Sequence, residues 1–249
     1  NGYHLIALRK EEKILPGPVV KEAVEERAEA IELEQGRKVR RKEKDELKEQ
    51  VMLEMLPQAF SRNRRCFAYL APKDGVLVVD AGSAKQAEDL ASTLRKSLGS
   101  LPVRPPAVEQ SPAFTFTGWL NESIDHPANI TLGSECELKD PSEDGGVVRC
   151  KGLDLKADEI RNHLEAGMQV TKLALTWDDN VSFVLDEELG IRRLKFGETL
   201  QEQLDDVDVD DALAKFDAAF TIMTLELSRL IPGLLEALGG EDRSAIVEE

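Results

Sequence analysis

The chain changes its hydrophobic periodicity at the stretch RRCFAYLAPKDGVLVV, residues 64–79. Two β-prone runs, 66–70 and 76–79, flank the turn-forming tetrapeptide Pro72-Lys73-Asp74-Gly75, and this pattern predicts a β-hairpin. Upstream of it, apolar residues instead recur every three or four positions, which is the period of a helix. Strand-forming and helix-forming segments therefore occupy separate blocks, and the sequence predicts an α+β fold.

Two helices are predicted between an opening strand at 4–8 and this hairpin. Pro16-Gly17-Pro18 marks a turn, after which Val20, Val24, Ala28 and Ile31 share one face of an acidic helix. Gly36 interrupts it, and residues 38–56 are predicted to form a second helix with Leu47, Val51 and Met55 on one seam. The pattern leaves open whether the two helices pair as an antiparallel hairpin or continue as one bent rod.

The rest of the chain is predicted to be a helix, a β-rich stretch and a final helix. Ser83 should cap a helix that runs through Leu98 and ends at Gly99, with a strand following at 101–108. Five further strands are expected at 129–138, 147–155, 169–177, 181–185 and 191–196, interrupted by a helix at 157–165. A helix from about 209 to 238 closes the chain, kinked or divided at Pro232.

Composition bounds the class of protein. The 249 residues are 41% hydrophobic and 32% charged, which is typical of a globular protein with its own core. No apolar run approaches the roughly 18 residues of a membrane span, so no membrane partner is expected. Cys66, Cys136 and Cys150 form no CxxC motif, and we expect buried thiols in a reducing cytoplasm. A strand pattern starts at His4, almost at the first residue, and we expect a segment before it.

Charge is sorted along the chain. The net charge is −16, but the segment from Arg37 to Arg65 carries ten basic and five acidic side chains, a local balance of +5. Residues 101–249 carry 13 basic and 31 acidic side chains. Such sorting is typical of a protein that attracts a polyanion with one surface only. The ten basic residues of this cluster, candidates for contact with a polyanion, are Arg37, Lys38, Arg40, Arg41, Lys42, Lys44, Lys48, Arg62, Arg64 and Arg65.

Two interpretations of this basic cluster stay open at the level of sequence. On a helix, Arg37, Arg41, Lys44 and Lys48 would be spaced four, three and four residues apart, so that one face could follow a phosphate backbone. Alternatively the cations form a solvated face and pair with nearby carboxylates, namely those of Glu29, Glu32, Glu34, Glu43, Asp45 and Glu46. No aromatic RNA-binding signature or zinc-finger spacing accompanies the cluster, so base readout is not expected.

Phe60 lies in a polar turn, Leu56-Pro57-Gln58-Ala59-Phe60-Ser61-Arg62, just after a predicted helix end. One interpretation is an exposed anchor that fills a pocket on a partner subunit. The other is an aromatic ring that folds back beneath its own loop.

No catalytic, metal-binding or cofactor-binding residues are predicted. Asp206, Asp208 and Asp210 resemble the start of a calcium loop, but Asp211 replaces the required glycine, and helix capping explains these residues better. Glu137-Leu138-Lys139 has the acidic-x-Lys form of some metal-dependent nucleases. The same form occurs in Glu46-Leu47-Lys48 on a predicted helix, so chance explains it. Phosphate-loop, GxSxG and HExxH motifs are missing from the sequence.

Several longer stretches resemble the RdgC family of bacterial recombination-associated proteins. They begin with Arg9-Lys10-Glu11-Glu12-Lys13-Ile14-Leu15-Pro16, Leu56-Pro57-Gln58-Ala59-Phe60-Ser61-Arg62 and Leu94-Arg95-Lys96-Ser97-Leu98-Gly99-Ser100-Leu101-Pro102. They continue with Glu143-Asp144-Gly145-Gly146-Val147-Val148-Arg149, Asn162-His163-Leu164-Glu165-Ala166-Gly167 and Val170-Thr171-Lys172-Leu173-Ala174-Leu175. The resemblance covers the whole chain, and family members carry an additional N-terminal segment.

This resemblance implies a cytoplasmic, nucleoid-associated protein that is not an enzyme and needs no cofactor. It implies a ring-shaped homodimer that binds DNA without sequence preference in a positively lined hole and restrains the RecA recombinase. The basic cluster then becomes a candidate lining of the hole, and Phe60 a candidate dimer contact.

Together these observations predict an irregular, multi-lobed α+β subunit with antiparallel sheets and a helical arm. Its parts would be a central β-containing region at 1–16 and 62–110, the arm at 17–61, and a β-rich and helical region at 111–249. One alternative function is direct inhibition of a recombinase through the acidic surface of 198–249. A nuclease is the other.

Overall fold

The computed structural model describes residues 2–142, 144–205 and 211–244. The chain divides into an N-terminal unit, Gly2–Leu101, and a C-terminal unit that begins at Pro102. Each unit combines helices with one antiparallel sheet, so the predicted α+β class is confirmed. The finer division into three lobes stays a prediction.

The N-terminal unit contains the predicted β-hairpin within a three-stranded sheet. Its strands are β1 (His4–Ile14), β2 (Phe60–Ala71) and β3 (Val76–Asp80), in the order β1-β2-β3. Strand β1 is longer than predicted because it pairs with β2 along its whole length, from His4 opposite Leu70 to Ile14 opposite Phe60. Strand β3 pairs only with 67–71, so the part of β2 before Phe67 forms a two-stranded ribbon with β1.

Helices α1 (Gly17–Gln35) and α2 (Arg41–Met55) form an antiparallel hairpin rather than a continuous rod. Val20, Val24 and Val51 are buried together between them, as the predicted apolar stripes require. Arg27 on α1 forms an ion pair with Glu54 on α2. Gly36 ends α1 in the left-handed conformation, with φ of 64°, and its N–H donates to the Glu32 carbonyl.

Helix α2 begins at Arg41, three residues later than predicted, because the preceding turn is held by side chains of both helices. The Val39 N–H donates to Glu32 Oε1 at 2.8 Å, and Val39 is buried. The Arg40 N–H donates to Glu43 Oε2 at 2.8 Å, so Glu43 caps the first turn of α2. The turn residues 37–40 are therefore fixed outside the helix.

Helix α3 (Ala84–Leu98) has the predicted bounds, follows β3 and packs on the sheet. The Ser83 hydroxyl accepts from the Gln86 N–H at 3.3 Å, and Gly99 ends the helix with φ of 81°. Leu90 is buried with Cys66 and Ala68 of β2. This cluster is the core of the N-terminal unit.

The C-terminal unit holds a five-stranded antiparallel sheet in the order β5-β4-β6-β7-β8. The strands are β4 (Ile130–Lys139), β5 (Val147–Lys151), β6 (Gln169–Trp177), β7 (Val181–Asp186) and β8 (Ile191–Phe196). The helices are α4 (Pro112–Leu120), α5 (Asp158–Glu165), α6 (Glu198–Asp205) and α7 (Ala212–Ala237). All five predicted strands are present, with ends shifted by a few residues.

One prediction for this part of the chain was wrong, and two helices were missed. Residues 101–108 form no strand, and Val108 makes only an isolated bridge with Glu241. Helices α4 and α6 were not predicted. The sequence of α4 is rich in aromatic residues and threonine, which favour strands, but burial of Phe116 and Trp119 overrides that preference. The Thr117 hydroxyl is satisfied inside the helix because it donates to the Ala113 carbonyl.

Helix α7 approaches Trp177 at the end of β6 and passes through Pro232 without ending. A Cβ on Gly233 would lie 2.0 Å from the Trp177 ring, so only glycine permits this approach. By length and composition alone α7 could cross a membrane, with a mean hydropathy of 1.3 in its most apolar part. The mostly buried core helix of a globular protein meets the same test, but only 22% of this stretch of α7 is buried. Leu227, Leu230 and Leu234 are among the buried residues of the helix.

Candidate nucleic-acid interface

Three cations of α2 lie on one side of that helix. Arg41, Lys44 and Lys48 are spaced three and four residues apart, which brings their side chains to one face. All three are exposed, and none forms an ion pair within the described ranges of the chain. Lys42 is also exposed on α2 but projects from a different face. The side chains of this α2 stripe, defined as Arg41, Lys44 and Lys48, can therefore turn toward an external anion.

The turn before α2 holds the other three predicted cations of the arm. Arg37, Lys38 and Arg40 are exposed there. The prediction that Arg37 belongs to the helical stripe was wrong, because Arg37 precedes the start of α2. Arg37 binds Glu43 through two hydrogen bonds, Nη1–Oε2 at 2.9 Å and Nη2–Oε1 at 2.7 Å. The Arg37 guanidinium and then the Arg40 N–H lower the pKa of Glu43 from 4.5 to about 2. Arg37, Arg40, Lys42 and Glu43 line a shallow cavity of about 370 Å³.

The alternative prediction, in which six nearby carboxylates pair with the basic cluster, is confirmed for Arg37. Of the six carboxylates proposed as partners, Glu43 alone forms an ion pair with a cation of the cluster, within the part of the chain that the structure describes. Glu32 instead accepts the Val39 N–H. Local acids therefore neutralise Arg37 and leave the α2 stripe unneutralised.

The ribbon of β1 and β2 adds cations that the sequence analysis assigned only in part. Arg62, Arg64 and Arg65 are exposed on β2. Arg65 lies directly opposite Arg9 of β1, and neither forms an ion pair among the described residues. Like charges placed directly opposite each other destabilise a strand pair, and an external anion would relieve that repulsion.

The neighbouring pair on the ribbon is compensated internally. Lys10 lies opposite Arg64 in the register. Glu12 Oε2 is 3.3 Å from Arg64 Nε, and Lys10 Nζ donates to Asp89 Oδ2 at 3.3 Å. The two faces of the ribbon therefore differ: Glu12 and Asp89 bind cations on one face, whereas on the other no carboxylate among the described residues, Glu11 included, forms an ion pair with Arg9 or Arg65.

Phe60 is exposed rather than folded beneath its own loop. Its exposed fraction is 85%, so the second interpretation of this residue was wrong. The register places it directly opposite Ile14, which is 47% exposed, and the two side chains share one face of the ribbon. Its role as a dimer contact stays a prediction.

A second basic surface lies on the solvent-facing side of the five-stranded sheet, and the sequence analysis did not find it. The register and strand alternation place cations from all strands except β7 there, opposite the face that buries Cys136, Leu173 and Leu185. These cations, called the sheet cations below, are Lys139, Arg149, Lys151, Lys172, Arg192, Arg193 and Lys195. They are seven of the 13 basic residues in 102–249. Arg193 lies at a register shift between β7 and β8 and reaches this face through its bond to Glu135.

Three carboxylates lie beneath the sheet cations and connect the strands. Glu137 on β4 accepts from Arg149 Nε of β5 and from Lys172 Nζ of β6, each at 2.7 Å. The side chain of Glu137 is 15% exposed, whereas that of Arg149 is 76% exposed. Burial raises the pKa of Glu137, but the bonds from Lys172 and Arg149 outweigh it and hold the pKa below its ordinary value.

The other two carboxylates anchor β8. Asp186 Oδ2 accepts from Arg192 Nε at 2.6 Å, and the Asp186 side chain is 4% exposed. Arg193, in the left-handed conformation with φ of 54°, reaches across β7 and β6 to bind Glu135 on β4. The Arg193 hydrogen bond lowers the pKa of Glu135. The carboxylates on this face are therefore less exposed than the cations that they bind, and the cations present their N–H donors to solvent.

The signal for this surface was present in the sequence. Arg149 and Lys151, and likewise Arg193 and Lys195, stand two residues apart in predicted strands, which indicates a shared face. The strongly acidic average of 101–249 concealed them. Only the strand order shows that four separate strands contribute to one surface.

The residues considered for catalysis or metal binding are engaged in structural contacts or lie outside the described residues. Glu137, of the acidic-x-Lys pattern, is bound to Arg149 and Lys172. No cluster of three or more His, Cys, Asp or Glu suited to a metal ion occurs in 2–142, 144–205 and 211–244. Asp206, Asp208 and Asp210 lie outside those ranges, and Asp211 caps α7 by accepting the Leu213 N–H at 2.9 Å.

Comparison with known proteins gives a consistent assignment. The family model described as "Putative exonuclease, RdgC" matches residues 1–241. A protein of Aeromonas hydrophila named recombination-associated protein RdgC is 54% identical over 243 residues, which cover 98% of this chain and 80% of that protein. The same name belongs to a Psychromonas ingrahamii protein, 51% identical over 95% of this chain and 78% of that protein.

A third relative, from Pseudomonas aeruginosa PAO1, is 50% identical over 240 residues and bears the same name. That match covers 96% of this chain and 78% of the relative. The match of the family model and the similarity to these relatives both extend over nearly the whole chain, so the chain belongs to the RdgC family of recombination-associated proteins.

Proposed function

We propose that this protein acts in recombination by binding the phosphate backbone of DNA without reading its bases. The observation that carries the proposal is the α2 stripe, three exposed cations on one face without a carboxylate partner in the described residues. Holding like charges together has an electrostatic cost, and phosphates would offset it while releasing condensed counterions. The Arg9–Arg65 pair supports the same conclusion from a different element.

The sheet cations are proposed as a second contact surface. Four of them, Arg149, Lys172, Arg192 and Arg193, are held in place by the carboxylates beneath them, so these side chains lose less entropy when an anion binds. Arg, Lys and the hydroxyls of Thr131, Thr176 and Ser182, which face the same side, are typical phosphate contacts. Base readout is not part of the proposal, because the sequence contains no zinc-finger spacing and no aromatic RNA-binding signature.

The experiment that tests DNA binding is a salt series with duplex and single-stranded DNA of two unrelated sequences. If about six phosphates are neutralised, log affinity should fall against log salt with a slope near −5, at roughly −0.9 per phosphate. A slope near zero would contradict the proposal, and a strong preference for one sequence would argue for base readout.

We further propose that the protein acts as a homodimer that encircles DNA, with Phe60 in the subunit contact. The support is the 85% exposure of this large aromatic side chain beside the half-exposed Ile14, since aromatic anchors of this kind dominate interfaces. Sedimentation should show a dimer that Phe60→Ala weakens about tenfold or more. Leu33→Ala, at a side chain 90% exposed on α1, is the matched control and should leave the dimer intact.

Restraint of RecA is proposed to follow from occupancy of DNA at the nucleoid in the cytoplasm. A variant with Arg41, Lys44 and Lys48 all changed to Gln should then lose inhibition of RecA-driven strand exchange in proportion to its loss of DNA affinity. Full inhibition by a variant that no longer binds DNA would instead indicate direct contact with the recombinase through the acidic surface.

An enzymatic role is not part of the proposal, although the family model's description contains the word exonuclease. The acidic-x-Lys glutamate, Glu137, has both carboxylate oxygens bound by cations, which leaves it poorly placed to hold a metal ion. Incubation of pure protein with end-labelled DNA and Mg²⁺ or Mn²⁺ tests this. Cleavage that Glu137→Gln abolishes would overturn the proposal.

A further inference from the structure

Two of the three cysteines face each other across neighbouring strands. The register of the β4–β5 pair places Cys136 directly opposite Cys150, and both are buried on the inner face of the sheet. Directly opposed residues of an antiparallel pair have Cα atoms about 4.5–5.5 Å apart, which lies within the range that a disulfide bridges. The third cysteine, Cys66, stands opposite Leu8 in the other unit.

A disulfide between Cys136 and Cys150 would link the edge strand β5 covalently to β4. Strand β5 has five residues, lies at the edge of the sheet and pairs only with β4. Cys150 lies between Arg149 and Lys151, and Cys136 lies between Glu135 and Glu137, so the residues beside both thiols belong to the charged network on the outer face. A bond between the thiols would fasten the edge strand that carries two sheet cations.

We propose that Cys136 and Cys150 are a modification site, at which a small-molecule disulfide such as oxidised glutathione converts the two free thiols into a reversible cross-strand disulfide. Both are free thiols in the structure. The proposal concerns a covalent bond and does not depend on DNA binding. Its failure and the failure of the proposed function are therefore separately observable.

The reaction proceeds by two thiol–disulfide exchanges. The Cys150 thiolate attacks one sulfur of oxidised glutathione, which forms a mixed disulfide and releases the first glutathione thiolate. Cys136 then loses its proton to solvent, attacks Cys150 Sγ and releases the second glutathione. Two protein thiols are oxidised, one glutathione disulfide is reduced to two thiols, and the two protons pass to the released glutathiones.

The order of the two steps follows from exposure and acidity. Cys150 is on the edge strand and 7% exposed, whereas Cys136 is on an inner strand and 2% exposed. Burial and then the neighbouring Cys150 thiol raise the pKa of Cys136 to about 12. Cys150 is therefore the thiol that a small disulfide reaches first, and Cys136 resolves the adduct slowly.

The test is incubation of the full chain with oxidised glutathione, followed by acid quench, alkylation in denaturant and peptide mapping. We expect two of the three thiols to be lost to a single bridge that links 136 to 150, reversed by dithiothreitol. The bridge closes a loop of about 15 residues, so oxidised protein should melt on the order of 5 °C higher than reduced protein.

Three variants make the result specific. Cys136→Ser should trap glutathione on Cys150, Cys150→Ser should lose the melting shift, and Cys66→Ser should behave as the parent chain. Glutathione adducts without a bridge would overturn the inference, as would a bridge that involves Cys66. Survival of all three thiols after exposure to the stronger oxidant diamide would overturn it as well.

Discussion

The two basic surfaces of this protein hold their cations in opposite ways. On α2, the cations Arg41, Lys44 and Lys48 form no ion pair among the described residues, and their side chains are exposed to solvent. On the five-stranded sheet, carboxylates such as Asp186 and Glu137 lie beneath the cations and fix their positions. The first arrangement favours long-range attraction of a polyanion, and the second favours short-range, preorganised contacts.

This comparison predicts that removing an acid from the sheet lowers the free energy of unfolding more than removing a cation from α2. Asp186→Ala should lower the free energy of unfolding by about 2–3 kcal/mol, because Arg192 and the Gly190 N–H lose a buried, charged acceptor. Urea denaturation measures the effect. Glu187→Ala in the same turn is the control, since its side chain is exposed, and an equal loss there would refute the special role of Asp186.

The next largest effect should be on DNA affinity, through the α2 stripe. Changing Arg41, Lys44 and Lys48 to Gln should weaken binding on the order of 10- to 100-fold at low salt, equally for all sequences, and flatten the salt slope. The melting temperature should not fall, since no internal ion pair is lost. Lys73, Lys85 and Lys96 changed to Gln provide a control of the same charge in the same unit, and an equal loss would mean that net charge alone matters.

A smaller loss of DNA affinity is expected from the sheet. Lys139, Lys151 and Lys195 make no ion pair within the described part of the chain, so they can be changed to Gln without breaking the carboxylate network. Binding measured by fluorescence anisotropy should weaken by roughly two- to tenfold. Unchanged affinity would argue against DNA contact by this surface and would leave the α2 stripe and the Arg9–Arg65 pair as the basic contacts in the proposal.

The smallest effect concerns Glu43, the acid that forms an ion pair with Arg37 of the basic cluster. Because its pKa is lowered to about 2 in the folded protein, its stabilising contribution is complete above pH 4.5 and is lost as pH falls toward 2. An NMR titration of its carboxyl carbon should report that low pKa, and Arg37→Gln should raise it toward 4.5. A pKa near 4.5 in the parent chain would show that the Arg37–Glu43 pair does not form.

The sequence was most informative where local chemistry alone determines structure. Ser83 marks the start of α3, Gly99 marks its end and Gly36 ends α1, because capping groups and left-handed glycines act within a few residues. It was least informative at α4, where Phe116 and Trp119 favour a strand by propensity and only their burial makes a helix the better choice. The start of α2 was misplaced for a similar reason, since Glu32 of the preceding helix holds Val39 in the turn.

By itself, the sequence determined the α+β class, the antiparallel hairpin at 66–79, the family and the excess of positive charge between Arg37 and Arg65. Only the tertiary structure decided which of those cations keep their charge available and that Phe60 is exposed. It also decided that cations from four separate strands form one surface and that Cys136 lies opposite Cys150. The physical reason is that pairing and burial depend on residues far apart in the chain, whereas periodicity and capping depend on neighbours.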